Sequence, residues 1–142
     1  MKRRIFFIVA SVFATLFIFN NSLQPAEVSG NASGTLVDIM ARFFALFGFS
    51  PDVDTVTYIV RKTAHFLEFA VQGLFIFGCF GMPPKKRIIY VLFLGLLTAC
   101  ADEYIQLFSP GRSAMIQDVF LDFSGTITAT FIFGLSYRFK RK

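Results

Sequence analysis

Apolar residues fill four stretches of the chain, and polar residues mark where each one ends. The first covers about residues 5–23 and opens IFFIVASVFATLFIF; the others cover about 55–80, 88–108 and 114–139. A bilayer core of about 30 Å takes roughly 20 apolar residues in a helix rising 1.5 Å per residue. All four stretches have that length, and none alternates with the two-residue period of a barrel strand. The pattern predicts four transmembrane helices. After the first, NSLQPAEVSGNASG reads as irregular chain. From Thr35 onward, Leu36, Ile39, Met40, Phe43, Phe44, Leu46 and Phe47 recur at helical spacing, with Asp38 and Arg42 four apart on the other face. This predicts an amphipathic helix over about 35–48, capped by Thr35 and too short to span. It would lie at the outer interface or pack over the outer mouth of the bundle. The expected fold class is all-α: one polytopic membrane domain over residues 1–142, with four spans and one interfacial helix.

Composition removes other classes. The 142 residues are 55% hydrophobic and 16% charged, with 21 Phe and no Trp, so the chain is not disordered. Two Cys make at most one bridge, which excludes a disulfide-stapled secreted fold. Cys79 and Cys100 are expected as reduced core residues within helices. The Phe excess is expected to face lipid.

The net charge of +5 divides by position. Lys2, Arg3, Arg4, Lys85, Lys86, Arg87, Arg138, Lys140, Arg141 and Lys142 lie at one end of the expected bundle, with no acid among them. The other end holds Arg42, Arg61, Lys62, Arg112 and all nine acids, so the balance is +10 on one side and −5 on the other. The positive-inside rule then places both termini in the cytoplasm. The basic rim meets anionic lipid, and nucleic acid drops out as a partner. NSLQPAEVSG lacks a small-x-small cleavage site, so the first helix is expected to remain as an anchor.

Ten polar side chains fall inside the expected spans or at their outer ends: Arg61, Lys62, His65, Glu68, Asp102, Glu103, Gln106, Arg112, Asp118 and Asp122. Arg61, His65 and Glu68 share one helical face; Asp102 and Gln106 are four apart, as are Asp118 and Asp122. Pro110 and Gly111 suit the central positions of a type II turn. An acid at a helix centre costs about 2.5–3.5 kcal/mol on insertion, so these groups need one another or water. They are expected to line one polar pocket near the outer surface. Lys62 and Glu103, taken singly, read best as structural or solvated groups. Gly95 with Ala99, and Gly125 with Ala129, read as helix-packing contacts.

The chemistry stays open at this point. His65 with Glu68 suits acid–base transfer, the acids with one His suit a divalent cation, and Arg61 and Arg112 suit phosphate or carboxylate. The spacings single out none of these; no metal centre or cofactor is assigned, and the enzyme question is undecided.

NSLQP, RKTAHFLEFAVQG and ADEYIQLFSPGRSAMIQDVFLDFSGT together resemble the VanZ-like family of small bacterial membrane proteins. Ile105 stands where many members carry a second His, and Gln72 stands where an apolar residue is usual. The resemblance implies a multi-pass protein of the bacterial cytoplasmic membrane, related to an accessory factor of teicoplanin resistance. Its implied role is binding of an envelope lipid, a precursor headgroup or a lipoglycopeptide; the alternative is an enzyme modifying an envelope lipid or glycan. Oligomeric state is not legible.

Overall fold

A computed structural model describes residues 2–26, 28–29 and 34–139. Its helices are α1 (Lys2–Leu23), α2 (Gly34–Leu46), α3 (Val53–Cys79), α4 (Pro84–Gln106) and α5 (Ile116–Phe139), with no strand among the described residues. Lys140, Arg141 and Lys142 of the basic set, and the side chain of Arg138, lie outside what is described.

Local chemistry explains the boundaries. Asp52 caps α3: its carboxylate accepts from the Thr55 amide at 2.8 Å and the Thr55 hydroxyl at 2.9 Å. These bonds hold the Asp52 carboxyl below its usual range. Pro84 opens α4, where a missing N–H costs nothing. Thr35 does not cap α2, because the helix starts one residue earlier, at Gly34. Gly111, at φ +74°, turns the chain between α4 and α5, and the Arg112 amide closes on the Ser109 carbonyl at 3.2 Å. That is the expected type II turn.

α1 and α4 are long and apolar enough to cross a bilayer, so two of the four expected spans meet that test among the described residues. α3 and α5 form at their expected places and complete the bundle. Their closest approach is at glycine. A Cβ on Gly125 would come within 2.2 Å of the Phe66 carbonyl oxygen of α3, and, where α4 meets α5, one on Gly95 would come within 2.4 Å of the Thr126 side chain. Thr126 is fully buried at this crossing, and Ala99 and Ala129 are buried near it, as small-residue packing requires. α1 joins through Ile18, which packs on Phe69 and Ala99, and through Thr15, which accepts from the buried Gln72 amide at 2.7 Å. The Nε2 of Gln72, deep in α3, is thereby paired, whereas its buried Oε1 has no hydrogen-bond partner among the described residues.

α2 lies along the first half of α3, with Val37 against Val56 and Val60, and Met40, Ala41 and Phe44 beside them. Leu36, Ile39, Phe43 and Leu46 face outward. Outward too are Phe6, Phe13, Phe93, Phe120 and Phe131, as the lipid-facing reading of the Phe excess expects. Cys100 corrects the expectation of two core thiols. It is exposed, because it lies on the outer side of α4, while Cys79 is partly buried and both are free.

Gly125→Val tests the crossing. A side chain there meets backbone that cannot swing aside, and overpacking costs about 1–3 kcal/mol or more. Thermal unfolding in detergent should show a clear loss of stability. Gly34→Ala, where a Cβ meets nothing within 4 Å, should leave it unchanged.

Candidate functional site

The polar residues collect at the end of the bundle away from Arg3, Arg4 and Arg87. At the basic end, Arg4 Nε donates to the Cys79 carbonyl at 2.9 Å, so the start of α1 meets the end of α3. The other end of α3, from Tyr58 to His65, forms one wall of a cleft of about 160 Å3. The remaining lining comes from Gln106 at the end of α4, from Gly111, Arg112, Ser113 and Met115 in the turn, and from Asp118, Leu121 and Asp122 of α5.

Of the ten residues expected in a pocket, Arg61, Lys62, His65, Gln106, Arg112, Asp118 and Asp122 line the cleft. Lys62 Nζ and Asp118 Oδ1 form a close ion pair joining α3 to α5. Beneath them His65 Nδ1 stands 3.9 Å from Asp102 Oδ2 and 3.9 Å from Asp122 Oδ1. Asp102 is fully buried and Asp122 is 1% exposed. Gln106 Nε2 donates to Asp102 Oδ2 at 3.0 Å, one helical turn along α4. Neither oxygen of Asp122 has a hydrogen-bond partner.

Three of the expected acids do not line the cleft: Asp102 lies buried beneath it, and Glu68 and Glu103 turn elsewhere. Glu68 does not join His65; its Oε1 accepts from Asn21 Nδ2 at 2.9 Å, on the α1 side of α3. Positions 65 and 68 share a face but lie about 60° apart around the helix, enough to address different neighbours in a tight bundle. Glu103 is buried and accepts the Met115 amide, fixing the segment that leads into α5. It therefore has the structural role that its position suggested.

The closing of α1 is the part that periodicity missed. The helix ends at Leu23, as expected, and its last carbonyls would be orphaned. The α4–α5 turn supplies their donors. Arg112 Nη2 donates to the Asn21 carbonyl and Nε to the Gln24 carbonyl, each at 2.9 Å. Ser109 Oγ donates to the Ser22 carbonyl at 2.7 Å, and the Ala26 amide to the Pro110 carbonyl at 3.1 Å. Arg112 is thus a cation capping the negative end of α1. Burial and the nearby Arg61 charge both weaken its hold on its proton. The signal was present as two separate polar blocks, NSLQP and SPGR, which meet only in three dimensions. Tyr58 and Ser113 also line the cleft without having been singled out.

Arg112→Lys separates charge from geometry. Lysine keeps the positive charge but not the fork that reaches two carbonyls. Hydrogen bonds from charged groups contribute about 1.5–3 kcal/mol, so the thermal midpoint of the purified protein should fall by several degrees. An unchanged midpoint would assign Arg112 a purely electrostatic role.

No curated relative and no solved structure matches the chain. The family comparison does match. A family model described as VanZ/LLP1 covers residues 7–137, nearly the whole chain, and the chain belongs to this VanZ-like family.

Proposed function

We propose that this VanZ-like protein spans the membrane four times, with both termini cytoplasmic, and that its cleft opens outward to bind a polar headgroup. The supporting observation is the cleft itself. Three polar helix faces and a polar turn converge at one end of an otherwise apolar bundle, opposite the basic end. In this topology α3 and α5 cross with their ionisable groups turned inward, which lets them tolerate charges that lipid would reject.

The rim selects the ligand class. Arg61 and Arg112 lie near enough for their charges to oppose each other, and an anionic group between them would relieve that repulsion. The volume suits a phosphate, a carboxylate or a short polar stretch of a larger molecule whose bulk stays outside. Envelope lipids, precursor headgroups and lipoglycopeptides of the teicoplanin type share such groups beside an apolar tail. Binding them at the outer surface would change an antibiotic's access to its target without catalysis.

A second reading is favoured by His65, which stands between two buried carboxylates and is placed for proton transfer to a bound lipid or glycan. It differs from the first in requiring a changed product.

One labelling experiment addresses orientation and occupancy together. With Cys79 and Cys100 replaced by Ser, Ser113→Cys at the cleft should react with an impermeant maleimide in intact cells, and Lys85→Cys should not. In purified protein, teicoplanin or an envelope lipid extract should slow labelling at position 113 at least fivefold. Labelling at 85 alone would reverse the topology, and absence of protection by both probes would remove the binding reading. A chemically altered lipid recovered from the extract would select the enzyme.

A further inference from the structure

Beneath the rim, the charge balance is incomplete. Asp102 and Asp122 come from different helices, are buried together, and face the same imidazole. The cations nearby are already engaged: Lys62 pairs with Asp118, and Arg112 caps α1. Arg61 stands at the rim of the cleft. Gln106 donates to one oxygen of Asp102, whereas both oxygens of Asp122 lack a hydrogen-bond partner. If both ionised beside a neutral imidazole, these buried carboxylates would carry two negative charges in an apolar surround, which they avoid only by taking up protons or a cation.

We infer that His65, Asp102 and Asp122 hold a divalent transition-metal cation, of the zinc or manganese type, at the floor of the cleft. One donor atom from each lies within 4.8 Å of the others. Two donors on a zinc ion at about 2.1 Å each stand about 3.4 Å apart at the tetrahedral angle. The two His65 separations of 3.9 Å exceed that value by about 0.5 Å, and the two carboxylates, whose donor atoms lie within 4.8 Å of each other, would also draw together around the ion. One nitrogen with two carboxylates suits zinc or manganese better than magnesium or calcium, which favour all-oxygen shells. A 2+ ion would also balance the two carboxylates. His65 and Asp122 line the cleft, so the coordination position left by three protein ligands faces the cavity. Gln106, bonded to Asp102, is placed to orient that ligand.

This site does not depend on the headgroup reading, since it is tested by metal alone. Protein stripped with chelator and held in detergent should bind one equivalent of Zn2+ in calorimetry, more tightly than Mg2+. His65→Ala and Asp122→Asn should each weaken Zn2+ binding at least tenfold, while Glu68→Gln, outside the trio, stays within twofold of wild type. Should either variant fail to fold, the wild type loaded with Co2+ gives a second measurement. An intense visible d–d absorption supports a low-coordinate protein site, and a weak, water-like spectrum contradicts it. Failure of the wild type to bind Zn2+ or Mn2+, or equal binding by the folded variants, overturns the assignment.

Discussion

Ionisable side chains on apolar helices have to find one another, and most of this structure follows from that constraint. A lone charge facing hydrocarbon costs several kcal/mol, whereas the same charge facing a partner across a bundle does not. The Lys62–Asp118 pair therefore acts as a register mark between α3 and α5. It lies about two turns along α5 from Gly125, where the two backbones come closest. Small residues permit the approach, and the charges fix its register. Both sit on the same helix pair, so disturbing one is felt by the other.

The second organising contact is helix capping at a distance. Arg112 and Ser109 close the end of α1 from the α4–α5 turn, and Arg4 closes the end of α3 from the start of α1. Each uses donors from one element to satisfy carbonyls that another leaves open. As a result α1, whose outer surface is almost wholly apolar, is tied to the bundle at both ends by polar bonds. The turn that lines one side of the cleft is held to α1 by the Arg112 and Ser109 contacts.

Much of this was legible in the sequence, for identifiable reasons. Helix positions followed from apolar run length, and the turn followed from Pro110–Gly111. The convergence of Lys62, His65, Asp102, Asp118 and Asp122 followed from their shared depth. What periodicity missed was lateral direction. Glu68 lies three residues from His65 and was expected beside it, yet it turns to Asn21. That partner lies 47 positions away, at the polar end of α1. The capping role of Arg112 was hidden for the same reason: its carbonyl partners are backbone atoms, which no residue pattern displays. Cys100 was assigned to the core by its position along α4, when its exposure depends on which face α4 turns outward.

The account rests on opposed charges of α3 and α5 meeting across the cleft, and a charge-swap cycle measures that contact. Lys62→Glu and Asp118→Lys should each lower the thermal stability of the purified protein, because each sets like charges together. The pair Lys62→Glu with Asp118→Lys should recover most of the loss, giving a coupling of about 0.5–3 kcal/mol, toward the lower end for a partly exposed pair. A double variant whose loss is the sum of the two single losses would show that the charges do not meet, and would contradict the account.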